Sequence, residues 1–405
     1  DPIDMTTQIV GKLANDILTS LKIETKQDVM KSATTNVEAY ECMLRAKYKY
    51  ATRKNIKDEQ DAIKLLEKAI ELDNNLYVAK IELGWIFHHS GDYEKGLRYY
   101  REVEKESDDK SIIADCYHGI GLIYHSQQIF DKSLEYATRS FEIRAELGNK
   151  LLMSHSLNNI GIIYKALKKY DKAMDYFNRS LAIKEEFGDK KAISVTLSNI
   201  GNIYINNYNF IEAINYHNRA LSIREELNLH FDIGSSLLNF GTIYFMEGKY
   251  NKSLINFNKA LSISQNLEYK HGNMRIFKKI GIVLFAQGKY KQSAENLEKS
   301  LAIQREIGYK NLELETTAHL YLTYKHLDKQ YNEKEINNLI KEAENIKFYL
   351  NYPLYELLED KSYLEIAYNQ VQKQASEMDK NLSKKFLSYP IPKAIVEEYN
   401  KVFKK

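Results

Sequence analysis

The chain has 405 residues, 44% hydrophobic and 28% charged, with 58 basic and 55 acidic side chains and a net charge of +3. The length exceeds one compact core and suits several stacked units, while the near-balanced charge lacks the basic excess of a nucleic-acid binder. With only 4 prolines and 17 glycines to interrupt it, the chain is expected to form long helices with few irregular loops.

Residues 3–23 carry Ile9, Val10, Leu13, Ile17 and Leu21 at helical spacing. They predict an amphipathic helix, which either caps the first helix pair or closes an upstream domain. Residues 1–35 are therefore assigned to an N-terminal helix and linker. Residues 36–74, with Ala62, Leu66, Ala69 and the closing Leu72-Asp73-Asn74, read as one helix pair. Residues 77–110, with Gly84, Tyr93, Gly96 and Tyr100, read as a second.

From residue 111 the pattern lengthens. Gly121, Gly161, Gly201, Gly241 and Gly281 recur at steps of 40 residues. Three of them share a phrase: Asn159-Ile160-Gly161, Asn199-Ile200-Gly201 and Asn239-Phe240-Gly241, each followed two residues later by Ile and then Tyr. A fixed period in this range marks a repeat architecture. In residues 151–190, Leu157, Ile160, Gly161, Tyr164 and Leu167 mark one face of a first helix. A polar turn, Lys168-Lys169-Tyr170-Asp171, leads to a second helix with Ala173, Phe177, Ser180, Leu181 and Ile183 inward. Gly188 is then expected in the left-handed conformation past the helix end. The glycine lets the second helix approach, and Tyr164 and Phe177 fill the remaining space. The second-helix set recurs as Ala213, His217, Ala220 and Leu221, as Ser253, Phe257, Ala260 and Leu261, and as Ser293, Leu297, Ser300 and Leu301. Residues 111–310 thus hold five 40-residue units.

Residues 311–350 read as a decayed unit in which Tyr321 replaces the glycine and Tyr331 and Ala343 keep the pattern loosely. A terminal repeat with an altered outer face fits its exposure to water. Residues 351–405 are expected to form a helical cap: a helix opened by Pro353 over about 353–376, a polar stretch, Tyr389-Pro390-Ile391-Pro392, and a short helix ending near Lys404.

These residues resemble the tetratricopeptide repeat, with its small and aromatic residues on the first helix and Ala, aromatic and small residues on the second. The 40-residue form is similar to the repeats of kinesin light chain, of mitotic-spindle adaptors and of bacterial Rap-type peptide receptors. The resemblance covers about residues 36–330. It implies an all-α, right-handed superhelical solenoid of antiparallel helix pairs. Thr34-Thr35-Asn36-Val37-Glu38-Ala39-Tyr40, with Leu44 and Tyr48, is similar to the segment leading into the repeats of large bacterial signalling proteins. Phe386-Leu387-Ser388-Tyr389-Pro390, then Ile395, is similar to the tail of some of them. Such proteins place a cyclase, kinase or TolB-like domain upstream, and a chain beginning Asp1-Pro2 is expected to be a fragment.

The stacked first helices are expected to line the inner surface. At about 100° per residue, Asn159 lies about 160° from Gly161 and points off the packing seam, on the side of His155, Ile162 and Ala166. Asn159, Asn199 and Asn239 would then form a ladder along the groove. An amide offers both a donor and an acceptor to an extended peptide backbone, and the resemblance implies the same use. The alternative is that these asparagines bond to one another or to nearby backbone and stabilise the stacking. The series breaks at Lys279, where Arg275, Lys278 and Lys279 form a basic cluster. With Asn202 and Asn239 it resembles the carboxylate clamp of chaperone-binding repeats, although Ser198 stands where that clamp has Lys. A looser site for acidic side chains or phosphate, or a plain solvated basic face, are the other readings.

The expected function is a protein–protein interaction scaffold that binds an extended peptide or protein segment, with an acidic or C-terminal carboxylate end as one option. The alternative is a regulatory arm of a larger signalling enzyme that transmits ligand binding by a change in superhelix. Neither reading involves nucleic acid or membrane insertion. No catalytic residue, cofactor or metal is expected: there is no phosphate loop, nucleophile elbow or H-E-x-x-H, and His88-His89 and the Cys116/His118 pair are poor metal ligands. Trp85 reads as a stacking residue, and the periodic tyrosines as packing. Two cysteines, Cys42 and Cys116, are too few for a disulfide framework, which favours a reducing, cytoplasmic setting.

Overall fold

The computed structural model describes residues 36–51, 56–267, 269–343 and 345–404. The expected helix at 3–23 lies outside them. The chain divides into two compact units, Asp1–Asp189 and Lys190–Lys405.

The first unit is a row of helix hairpins: α1 (Val37–Ala51) with α2 (Ile56–Leu72), α3 (Tyr77–Ser90) with α4 (Tyr93–Glu106), α5 (Lys110–Ser126) with α6 (Phe130–Glu146), and α7 (Lys150–Ala166) with α8 (Tyr170–Phe187). The second unit continues the pattern. It pairs α9 (Lys190–Asn206) with α10 (Phe210–Glu226), α11 (His230–Met246) with α12 (Tyr250–Asn266), α13 (Lys270–Ala286) with α14 (Tyr290–Glu306), and α15 (Glu313–Lys325) with the short α16 (Glu333–Glu342). Four further helices close it: α17 (Phe348–Leu358), α18 (Lys361–Ser376), α19 (Lys380–Ser388) and α20 (Pro390–Phe403).

The periodic glycines sit where close approach demands them. A Cβ on Gly161 would lie 2.7 Å from Phe177 Cδ1, one on Gly241 2.4 Å from Phe257 Cε1, and one on Gly281 2.6 Å from Leu297 Cγ. The space is thus taken by a side chain of the second helix. Gly121 is different: its nearest neighbours would be Ala137 N and Ser133 O at 3.4 Å, an ordinary contact. Gly241→Ala should therefore cost about 1–3 kcal/mol of stability through overpacking. Gly121→Ala should be neutral or stabilising by up to about 1 kcal/mol from helix propensity. Denaturant titration of the two variants checks the contrast, and equal losses would remove the packing argument.

Buried serines on the second helices also bond to the first. Ser133, Ser253 and Ser293 donate to the carbonyls of Gly121, Gly241 and Gly281 at 2.8, 2.7 and 2.8 Å. Paired tyrosines add stacking at the same register: Tyr164 on Tyr176 at 5.4 Å and Tyr204 on Tyr216 at 5.5 Å. Turn residues repeat as well. Gln128, Lys168, Tyr208, Gly248, Gly288 and Asp328 follow the first helices with positive φ, and Gly148, Gly188, Asn228 and Gly308 follow the second. Within each unit, from α3 onward, the first helices of successive hairpins touch each other, while each second helix reaches the next hairpin through its first helix. In each unit the outward sides of the first helices therefore form an inner layer.

The C-terminal region departs from expectation. Pro353 lies inside α17, which begins at Phe348. It removes one intrahelical bond that burial of Phe348, Leu350 and Leu354 offsets. The helix does not run to 376. Glu359 takes a left-handed φ of 60°, and the Lys325 ammonium donates to the carbonyls of Glu356 and Leu357 at 2.9 and 3.0 Å. The tail then returns to the repeats. Phe386, Tyr389 and Ile395 join a core with Tyr208, Phe210 and Ile243, against which Ile205 and Met246 pack. In the decayed hairpin Tyr321 is buried and donates to Glu335 Oε2 at 2.5 Å. The Tyr331 ring lies 5.3 Å from it, whereas Ala343 falls just beyond α16.

Candidate functional site

On the inner layer of the second unit, Asn199, Asn202 and Asn239 are half-buried and Arg275 is exposed. Asn199 and Asn239 hold equivalent positions on neighbouring first helices, α9 and α11. Among the described residues, the Asn202 and Asn239 amides take no protein partner, whereas Asn199 makes an interaction of its own. The basic trio splits by direction. Lys278 is buried at 6% exposure and pairs with Glu315 on the next first helix, α15. That pairing holds the Glu315 carboxyl below its ordinary range despite burial. Lys279 lies 5.8 Å over the Phe257 ring and has no carboxylate in ion-pair range among the described residues. Burial and the charge of Lys278, opposed by Glu315, bring its pKa down to about 8. Lys279 and exposed Arg275 are therefore the cations the face presents, and Lys278 serves the stacking.

Asn159 belongs to the first unit. Its amide nitrogen lies 3.2 Å from Nδ1 and 3.3 Å from Nε2 of His118 on the preceding first helix. The Arg144 guanidinium, a donor only, sits 3.5 Å from the same Nδ1. Nδ1 must then accept, so His118 is neutral, and burial with the Arg144 charge brings its pKa down to about 3. Asn159 thus links two hairpins through its amide nitrogen and keeps its oxygen for other partners. His88, His89, His118, His125 and His155 all lie on the first helices of this unit. Trp85 is 37% exposed, with its ring 4.4 Å from His89. It sits on the open side instead of in the stack, because it lies one step beyond Gly84 on the helix.

Sequence reasoning missed another periodic feature. Arg144, Lys184 and Arg224 stand 40 residues apart near the ends of their second helices, and all are buried. Arg144 pairs with Asp115 at 2.6 Å in its own hairpin and donates to Ser156 Oγ at 2.8 Å in the next. Arg224 repeats this with Ser236 Oγ at 2.7 Å and the Asp232 carbonyl at 3.1 Å. The signal is present in the sequence: a cation at the glycine period on a face otherwise lined by small and apolar residues.

The architecture is that of an all-α solenoid of helix hairpins presenting an amide- and cation-bearing inner layer. A tetratricopeptide-repeat family model matches residues 112–186 and 192–266, and these residues form tetratricopeptide repeats. No curated protein matches its sequence. A solved Rap protein complexed with Competence and Sporulation Factor superposes with a TM-score of 0.57 at 13% identity, covering 90% of this chain and 99% of that one. Aspartyl phosphate phosphatase F from Bacillus subtilis gives 0.55 at 15% identity, covering 84% and 91%. The signal transduction ATPase PH0952 from Pyrococcus horikoshii, which has a tetratricopeptide repeat sensor, gives 0.54 at 16%, covering 93% and 55%. These likenesses establish a shared fold. Among the described residues no helix is long and apolar enough to cross a membrane.

Proposed function

We propose that the protein is a protein–protein interaction scaffold that holds an extended peptide or protein segment along its first-helix layer, without chemistry of its own. The observation that carries this reading is Lys279: a half-buried cation that makes no ion pair among the described residues, on the same layer as the Asn202 and Asn239 amides. An unpaired buried charge is costly, and an incoming carboxylate relieves that cost. Asn202 and Asn239 supply donors and acceptors to a peptide backbone, Asn199 joins them on the same layer, and Lys279 with Arg275 receives an acidic side chain or terminal carboxylate. The Rap complex, in which the same fold is complexed with Competence and Sporulation Factor, is in keeping with it.

A peptide-binding screen tests this. Lys279→Gln should weaken acidic ligands about tenfold or more, since hydrogen bonds to charged groups contribute about 1.5–3 kcal/mol. Asn239→Ala and Asn199→Ala should weaken acidic and neutral peptides alike. If both asparagine variants bind every hit as well as the parent, the reading fails. A second reading, a sensor arm governing an upstream catalytic domain, draws on the repeat sensor of the ATPase with the same fold. The coding sequence upstream of Asp1 decides it.

A further inference from the structure

Three successive hairpins give up a helix cap. Asp109 and Asn149 stand just before the first helices α5 and α7, and their side chains accept from Ser111 N and Leu152 N. At the equivalent positions before α11, α13 and the short turn that leads into α15 stand Leu229, Tyr269 and Tyr309, and none supplies a side-chain cap. An oxygen-bearing cap stabilises a helix start, so these positions exchange a stabilising polar contact for an apolar side chain. The row of ion pairs across the same ends breaks in the same place. Lys110–Glu146, Lys150–Glu186, Lys190–Glu226 and Lys270–Glu306 each tie the start of a first helix to the end of its second. The hairpin of α11 and α12 has His230 and Asn266 instead.

What replaces caps and charges is a strip of rings along this rim of the second unit. Phe231 is 53% exposed and Tyr269 40%, with their rings 5.3 Å apart edge to face. The strip continues through His271, 6.0 Å from Tyr269 and 4.6 Å from Tyr309. The Tyr269 ring is seated: a Cβ on Gly272 would lie 2.4 Å from its Cδ1, and the Tyr269 carbonyl accepts from Ser264 Oγ at 3.2 Å.

The strip lies on the same helix faces as the amides and cations of the scaffold site. Phe231, Ser235 and Asn239 are four residues apart on α11, and His271, Arg275 and Lys279 are four apart on α13, so each set runs along one face. Arg275, like Lys279, makes no ion pair among the described residues. Lys279 and His271 are two helical turns apart, about 12 Å, which three or four residues of an extended segment cover at about 3.3 Å each. A partner with a carboxylate at the cations thus places the side chain three or four positions away on the rings.

We infer that the rim of the second unit is a recognition site for an aromatic side chain three or four positions from an acidic residue in an extended segment of a partner protein, with Phe231 and Tyr269 receiving the ring. The inference rests on the scaffold reading above and adds to it the contact that selects the partner. A ring already seated, as Tyr269 is, meets a further ring without giving up rotamer freedom of its own.

The test uses the full chain and fluorescein-labelled, end-blocked peptides in a Gly/Ser background, with Phe and Glu three or four positions apart in either order. Matched peptides carry Ser for Phe or Gln for Glu, and fluorescence anisotropy gives affinities. In at least one arrangement the Phe/Glu peptide should bind about tenfold more tightly than its Ser/Glu match. Phe231→Gln and Tyr269→Asn, the second of which copies the cap at Asn149, should each remove most of that preference and leave Ser/Glu affinity unchanged. Lys279→Gln should weaken Phe/Glu and Ser/Glu alike and leave Phe/Gln unchanged. Circular dichroism checks folding, and the exposed Phe231→Gln decides alone should Tyr269→Asn fail to fold. If folded Phe231→Gln keeps the parent's preference, or Phe/Glu and Ser/Glu bind the parent equally in every arrangement, the rim is not a site. In that case weakening by Lys279→Gln would leave the scaffold reading intact. Absence of binding by every peptide would remove both. Dimerisation in light scattering that Phe231→Gln abolishes would assign the strip to a second copy instead and overturn the partner proposed.

Discussion

Phe386→Ala should destabilise the second unit by about 3–5 kcal/mol, the range for deleting a buried aromatic ring. Phe386 is fully buried, with its ring 4.6 Å from Tyr208 and 6.2 Å from Phe348. It ties the returning tail to the repeats. Tyr208 shows how firmly the tie is built. It follows α9 with φ of 57°, a conformation that sister turns fill with Gly248 and Gly288. A side chain there costs about 1–2 kcal/mol. The cost is offset because the ring is only 8% exposed and also lies 6.2 Å from Tyr389. Denaturant unfolding of Phe386→Ala and limited proteolysis of α19 and α20 measure the effect. Tyr208→Gly relieves the backbone but loses the ring, and should still be net destabilising. A stable Tyr208→Gly variant with a protected tail would show that the rings contribute nothing.

Acid should destabilise the first unit through its buried histidines. Burial is the leading cause that brings His88 and His155 down to about 4 and His118 to about 3, all in the first unit, and His217 to about 4 in the second. Lys184, Arg144 and Arg224 reinforce the shifts of His155, His118 and His217 respectively. An unfolded histidine titrates near 6.5. Above that pH neither state binds the proton and the shift contributes nothing. Below it the unfolded chain takes protons that the native state refuses, so stability falls as pH drops from about 6.5 toward 4. At pH 5 each such histidine removes about 2 kcal/mol. Hydrogen exchange at pH 7 and pH 5 should show loss of protection in α5 and α7. His217 adds a sharper check, because both its ring nitrogens are buried without a partner. His217→Phe copies Phe177 and Phe257. It should stabilise the second unit by about 1–3 kcal/mol at pH 7 and flatten its acid response. Unchanged stability and an unchanged pH slope would mean the ring is solvated.

Much of the hairpin geometry is legible from spacing. The glycines, the polar turn at Lys168 and the stop at Gly188 follow from one helix facing one partner, which a helical wheel describes. The wheel fails where a residue meets a third element. Lys278 and Lys279 are neighbours in the chain, but 100° of rotation sends Lys278 to Glu315 on the next first helix and leaves Lys279 on the open layer. Asn159 lies off its own seam as expected, and its amide nitrogen meets His118, 41 residues earlier. Pro353 reads as a helix start because proline favours that position. Burial of the surrounding side chains outweighs the lost bond.

By itself the sequence determined the repeat, its period and its two-helix unit, because those rest on contacts within about 40 residues that recur in register. It also held the departures, Tyr269 among them, although only the folded neighbours turn an uncapped helix start into a strip of rings. The tertiary structure alone decided which polar groups remain available and where the tail docks. Availability is a balance among several helices brought together by stacking. The return of Phe386 and Tyr389 to Tyr208 joins segments about 180 residues apart that no local pattern connects.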